Sequence, residues 1–387
     1  MRKLSDTLAR LSALAEARQG FVAPDTGGRL DMLPDSGSNP GALGARTYIP
    51  DDLRKGAPLV VVLHGCTQSA DGYDAGSGWS QLAEQDGFAL LFPEQRRANN
   101  ANLCFNWFTP GDYRRDEGEA LSIRQMIATL VALHGLDPQR IYVTGLSAGG
   151  AMASVMLATY PEVFAGGAII AGLPYGSATS MPQAFDRMRG HGMPDEAELA
   201  QLVSDASSYD GPWPTISVWH GSGDATVDPA NATAIVAQWR ALHGVTAAPS
   251  REEMVDGYPH RVWRDAAGRE VIEEYSITGM GHGTPLATRG EGSCGKAGAY
   301  MLEAHISSTW HIARFWGLDR QAADTARKAG TGQALVPYAQ VATTGQDSGT
   351  PRFTRIPRRP AAAPNAPRAT GVGKVIEDAL RAAGLMR

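Results

Sequence analysis

Ile141-Tyr142-Val143-Thr144-Gly145-Leu146-Ser147-Ala148-Gly149-Gly150 decides the fold of this chain. A β-branched, apolar run enters a Gly-x-Ser-x-Gly pentapeptide, and the helix-compatible Ala151-Met152-Ala153-Ser154-Val155-Met156-Leu157-Ala158 leaves it. Strand, sharp turn and helix in that order are the setting of a nucleophile elbow. Glycines at 145 and 149 let backbones crowd together where a β-carbon would obstruct them. A serine on so tight a turn presents its hydroxyl, and the amide after it points toward a developing oxyanion. The pentapeptide alone is a weak signal. Between a strand and a helix it makes Ser147 a candidate nucleophile.

The same alternation continues on both sides of the elbow. Pro58-Leu59-Val60-Val61-Val62-Leu63-His64-Gly65 is a continuous β-branched run, the pattern of a strand buried on both faces. Ala89-Leu90-Leu91-Phe92-Pro93, Gly167-Ala168-Ile169-Ile170-Ala171 and Thr215-Ile216-Ser217-Val218-Trp219-His220-Gly221 read the same way, and Arg46-Thr47-Tyr48-Ile49-Pro50 reads as an outer strand. Helices are expected around Trp79–Glu84, from about Glu117 to His134, from Pro229 to His243, and near Ala299–Trp316. Residues 255–278 alternate like a hairpin plus a strand, and residues 94–116 read as an irregular loop. This spacing predicts an α/β fold, a mostly parallel sheet with helices on both faces. Ligands bind such sheets at the carboxyl ends of the strands.

A serine hydroxyl needs a base to take its proton, and the base needs an orienting carboxylate. In the elbow arrangement these follow the serine in the order acid, then histidine. Asp224, in the Gly-rich turn His220-Gly221-Ser222-Gly223-Asp224, is the candidate acid. Asp228 competes with it, although Asp228 also suits the N-cap of the helix beginning at Pro229. His282, in Thr278-Gly279-Met280-Gly281-His282-Gly283, is the candidate base. His260, His305 and His311 lack its glycine-flanked setting. The amides of Ala148 and Cys66 are the candidate oxyanion donors, the latter from the turn after the third strand. Phe105, Trp107 and Phe108 are candidate walls for an apolar acyl chain, with ordinary loop packing as the competing reading. His64 joins them as a candidate substrate contact that otherwise shapes the turn.

Composition bounds the alternatives. The chain has 387 residues, 43 % hydrophobic and 19 % charged, with a formal net charge of -5. Such a balance gives no basic footprint for nucleic acid. No apolar run is long enough to span a bilayer. Leu4, Leu8, Leu11 and Ala15 repeat at helical spacing, while Asp6, Arg10 and Glu16 interrupt what a signal peptide would need apolar. Cytoplasmic residence is therefore the default expectation. Three cysteines (Cys66, Cys104, Cys294) fit a reducing compartment and leave room for one local bridge. None is spaced as part of a zinc set, and no metal is expected.

The expected organisation is an amphipathic helix over 1–20 and a catalytic domain over 21–320. A cap-like helical insertion is expected at about 173–214. A Pro/Ala-rich extension over 321–387 ends in a short helix.

Pro58–Gln68, Cys104-Phe105-Asn106-Trp107-Phe108 and Gly145–Gly150 together resemble the poly(3-hydroxybutyrate) depolymerase-type esterases. Ala171-Gly172-Leu173-Pro174-Tyr175-Gly176 and Gly279-Met280-Gly281-His282 extend the likeness, which covers roughly residues 45–316. The resemblance implies an α/β-hydrolase fold and cofactor-free serine ester hydrolysis. It also implies Ser147, Asp224 and His282 as triad, with Cys66 and Ala148 as oxyanion donors. Ser177 and Arg187 stand where many relatives carry cysteines, so no disulfide is expected there. The implied substrate is a short-chain polyhydroxyalkanoate or its oligomers. A feruloyl- or acetyl-type carbohydrate ester is the alternative. A non-catalytic granule-binding protein, anchored by its terminal amphipathic segments, is the remote one.

Overall fold

The computed structural model describes residues 28–319 apart from Asp35. The helix expected over 1–20 and the extension over 321–387 with its terminal helix lie outside the described residues.

Strands β1 (Asp31–Met32), β2 (Gly44–Tyr48), β3 (Leu59–Leu63), β4 (Ala89–Glu94) and β5 (Ile141–Leu146) come first along the chain. They are followed by β6 (Gly166–Ile170), β7 (Thr215–Gly221), β8 (Arg251–Val255), β9 (Tyr258–Arg264) and β10 (Glu270–Ile277). All ten join one sheet in the order β1-β2-β4-β3-β5-β6-β7-β10-β9-β8. From β4 across to β10 neighbouring strands are parallel, and the β1-β2 and β9-β8 edges run antiparallel. In register, Val61 stands opposite Leu91 on one side and Val143 on the other.

Every residue of β3 and β5 is buried, which explains why both lack an apolar–polar alternation. Successive side chains still point to opposite faces. Leu59, Val61 and Leu63 pack with Ile123, Met152 and Trp239 from helices Gly118–His134, Ala148–Thr159 and Ala230–His243. Val60 and Val62 pack with Trp79 and Ile312 from helices Trp79–Asp86 and Ser308–Phe315. The sheet is thus covered on both faces.

Three local expectations are corrected. A helix at Ala70–Ser77 precedes the one expected at Trp79, and Ser69 caps it by accepting from the Gly72 amide. The final helix begins at Ser308 rather than near Ala299. Tyr300 and His305 have φ of 60° and 57°, a left-handed backbone that no α-helix accommodates, and Met301–Glu303 instead forms a short strand against Thr284–Leu286. The loop over 94–116 contains a single helical turn, Pro110–Tyr113.

The insertion after β6 carries two helices, Met181–Met188 and Glu196–Ser204. It docks on the helix Ala230–His243. Gln238 Nε2 donates to the carbonyls of Tyr175 and Leu199, and Asn231 Nδ2 donates to that of Arg187. Where a bridge would have joined 177 to 187, Arg187 Nε donates to the Ser177 carbonyl at 3.0 Å. Among the described residues, no helix is long and apolar enough to cross a membrane.

Candidate active site

Ser147 sits between β5 and the helix Ala148–Thr159 with φ 57° and ψ −118°, a conformation that costs a non-glycine residue energy. The surrounding backbone holds it there. Its amide donates to the Ile170 carbonyl at 2.9 Å, and its own carbonyl accepts from the Ala151 amide at 2.8 Å. A β-carbon at Gly145 would lie 2.4 Å from the Gly149 carbonyl oxygen. One at Gly149 would lie 2.3 Å from that of Leu63 and 2.5 Å from that of His64. Both glycines are therefore required for three backbone segments to pass one another.

Asp224 follows β7 and is fully buried at its side chain. Its Oδ1 accepts from the amides of Thr226 and Val227 at 2.8 and 2.9 Å. Its Oδ2 lies 2.7 Å from His282 Nδ1 and 3.5 Å from His220 Nε2. Burial alone would raise its pKa, yet the hydrogen bonds from His220, His282 and the Val227 amide, with the charge of His282, outweigh burial. The carboxyl is held well below the usual carboxylate range. Asp228 takes the other role the sequence allowed, accepting from the Ala230 amide at 2.8 Å where the next helix starts.

His282 follows β10 on a loop knitted to the Asp224 turn. The Gly223 amide donates to the Met280 carbonyl, and the Gly279 amide donates to Ser222 Oγ. A β-carbon at Gly221 would lie 2.3 Å from the Met280 carbonyl oxygen, so glycine permits this contact. Ser147 and His282 line one small cleft with Gly65, Cys66, Gln68, Leu146 and Tyr300. Ala148 opens the helix beyond Ser147, where an amide has no intrahelical acceptor. The rival histidines point elsewhere: His260 to Glu253 and Glu273, His311 to Asp256, and His305 out to solvent beside Glu303.

Cys66 is joined to Cys104 by a disulfide, and Cys294 is a buried free thiol. The bridge is the one local pairing that three cysteines left room for, and it leaves one thiol over. It straps the turn after β3 to the aromatic loop. None of His64, Phe105, Trp107 and Phe108 lines the cleft. His64, Phe105 and Trp107 are buried and Phe108 half-buried, with Phe105 5.0 Å from the His64 ring and Trp107 edge-on to Phe108. The buried Glu119 carboxyl group accepts from the Asn106 amide and side chain and from Gln95 Nε2, drawing the loop onto the core. His64 donates from Nδ1 to the Gly65 carbonyl and accepts at Nε2 from the Gln95 amide. Burial pushes its pKa down, so it is a neutral structural group.

Tyr300 and Gln68 are cleft residues that the sequence did not disclose. Among the described residues, no group of three or more His, Cys, Asp or Glu side chains is placed to hold a metal ion.

A serine on a strained elbow, a carboxylate–imidazole pair and a turn after the third strand, all at the carboxyl edge of a mostly parallel sheet, define a serine hydrolase of the α/β-hydrolase fold. The model of the esterase PHB depolymerase family matches residues 45–255, and the chain belongs to that family. It is 48 % identical over 291 residues to poly(3-hydroxyalkanoate) depolymerase C of Paucimonas lemoignei, covering 75 % of this chain and 70 % of that protein. It is 30 % identical over 264 residues to acetylxylan esterase A of Emericella nidulans, covering 66 % and 86 %. Among solved structures, acetyl xylan esterase from Aspergillus awamori superposes with a TM-score of 0.61 at 28 % identity. That match covers 66 % of this chain and 94 % of that one. The chain is a carboxylic-ester hydrolase by family.

Proposed function

We propose that this enzyme hydrolyses short-chain polyhydroxyalkanoate polyester or its oligomers through an acyl-enzyme on Ser147. The pairing of His282 with Asp224 beside Ser147 carries the mechanism. Because Nδ1 of His282 donates to Asp224, the lone pair of Nε2 is left for the serine proton. Ser147 Oγ then attacks the ester carbonyl, and the amides of Cys66 and Ala148 hold the oxyanion. His282 returns the proton to the departing alcohol. Water, activated by the same imidazole, releases the acid and restores the serine.

The identity to a poly(3-hydroxyalkanoate) depolymerase, 48 %, supports the substrate class over the 30 % shared with an acetylxylan esterase. A carbohydrate ester remains the second reading, favoured by the structural likeness to an acetyl xylan esterase. Cytoplasmic residence is weighed against by the Cys66–Cys104 bridge, which suits an oxidising compartment.

Acid release from p-nitrophenyl esters, hydroxybutyrate oligomers, amorphous polyhydroxybutyrate and methyl ferulate, with Ser147→Ala as control, tests the reading. Oligomers as best substrate, with the mutant inactive, is the expected result. Preference for ferulate would move the substrate to carbohydrate esters. Turnover unaffected by Ser147→Ala would overturn the mechanism.

A further inference from the structure

Tyr300 lies eighteen positions after His282 in the sequence, yet it lines the cleft that Ser147 and His282 share. Its ring stands edge-on to the imidazole, with centroids 6.1 Å apart and planes at 77°. That is within the range in which aromatic rings attract.

The backbone at Tyr300 is held with φ 60°. It occupies the third position of a tight turn in which the Met301 amide donates to the Gly298 carbonyl at 3.1 Å and the Gly298 amide to that of Met301 at 2.9 Å. Glycine is the residue that adopts this conformation without cost, and a bulky aromatic is out of place in it. The turn therefore does not need a tyrosine, and the reason for one lies in the side chain.

The backbone of Tyr300 is tied to the segment that carries His282. The Thr284 amide donates to the Tyr300 carbonyl at 2.8 Å, and Thr284 pairs with Met301 in the two-stranded ribbon just beyond His282. A β-carbon at Gly283 would lie 2.8 Å from the Tyr300 carbonyl oxygen, so the glycine after the histidine lets the two segments meet. The loop that carries the base and the turn that carries the ring form one unit.

Position beside the base has a chemical meaning. In acyl transfer the imidazole delivers its proton to the oxygen of the departing alcohol, so that alcohol must sit next to His282. After it leaves, the acyl-enzyme no longer contains it. We propose that Tyr300 forms the wall that contacts the leaving alcohol of the ester and sets the preference for that half of the substrate. This rests on the serine-esterase reading above. In a polyester the alcohol half is itself another hydroxyalkanoate unit, so the same wall would recognise the chain downstream of the scissile bond.

Tyr300→Gly suits the local backbone and gives up the ring's packing against the core, which Tm reports, while Tyr300→Phe keeps the wall. The measurement is kcat/KM on two series of esters. One varies the alcohol of a butyrate (methyl, benzyl, and the hydroxyl of a hydroxybutyrate methyl ester). The other varies the acyl chain of p-nitrophenyl esters. Tyr300→Gly is expected to lower the bulky-to-methyl alcohol ratio about tenfold, the size of one lost apolar contact, while leaving the acyl-length ratio as in the wild type. Tyr300→Phe should retain most of the alcohol ratio. If methyl and bulky esters fall together, the ring only positions His282 and the assignment is wrong. A moved acyl ratio overturns it equally. Ester turnover that survives Ser147→Ala would instead sink the esterase reading, and the Tyr300 assignment with it.

Discussion

Nδ1 of His282 stands 2.7 Å from Oδ2 of Asp224, whose side chain has no exposed surface. The other oxygen of that carboxylate is occupied by the amides of Thr226 and Val227, so the acid cannot turn away from the imidazole. Asp224→Asn would offer His282 an amide in place of a charge and favour the wrong tautomer. The expected loss is about 10⁴-fold in kcat with little change in KM. A fall of less than about tenfold on p-nitrophenyl butyrate would mean that another group orients the base.

Cys66 and Cys104 close a segment with a sequence separation of 38. By loop entropy the bridge contributes about 4 kcal/mol, or about 10 °C in Tm for a domain of this size. It also fixes the turn that supplies the Cys66 amide. Cys104→Ala should lower Tm by that order and kcat by about 10- to 100-fold, as a misplaced oxyanion donor does. Thiol titration of the denatured chain should find one thiol without reductant and three with it. Three without reductant would show that the bridge does not form.

The parts legible in the sequence were those whose chemistry is local. Ser147 announced itself because only Gly145 and Gly149 permit its turn. Asp224 and His282 each follow a strand in a glycine-rich turn, and the fold pairs them, with His282 at the cleft of Ser147 and Asp224 buried behind it. The parallel sheet was readable from the fully apolar runs of β3 and β5. What escaped depends on paths between distant segments. Nothing in the spacing of three cysteines says that Cys66 meets Cys104 rather than Cys294. Phe105, for which cleft wall and loop packing were both open, is buried, and Glu119, thirteen residues beyond Asn106, draws that loop inward through three hydrogen bonds. Tyr300 was hidden within a stretch that read as the start of a helix, since a left-handed backbone leaves no mark when the residue is not glycine. The helix Ala70–Ser77, with two glycines and two aspartates, is held by its cap and by Asp74, which accepts from the Ser80 amide of the next helix.

Gly149 faces two carbonyl oxygens at distances no β-carbon tolerates. Gly149→Ala must push the elbow away from the Leu63–His64 strand end, which displaces Ser147 from His282 and Ala148 from Cys66 together. A displacement of about 1 Å at such a site costs about 10²-fold in rate, and overpacking of this kind costs about 1–3 kcal/mol in stability. Measured kcat/KM and Tm should both fall. Gly281→Ala, where a β-carbon has nothing within 4 Å, is the control for the loss of a glycine as such and should leave Tm nearly unchanged.

His243 ends the helix Ala230–His243 and donates from Nε2 to the Pro214 carbonyl at 3.0 Å. Burial pushes its pKa from 6.5 down to about 4, against the opposing effects of that hydrogen bond and the charge of Asp265. The unfolded chain therefore binds a proton near pH 6.5 that the folded chain refuses until about pH 4. Between those values the unfolded state holds more protons, so stability is lost as the pH falls through that window and is fully present above it. The largest effect is about 3 kcal/mol. His243→Gln keeps an N–H for Pro214 and cannot titrate. Its melting temperature should fall less steeply than that of the wild type on the acid side, with the two curves closest near neutral pH. Parallel curves from pH 7 to about 4.5 would show that His243 is protonated without penalty, and that acid sensitivity arises elsewhere.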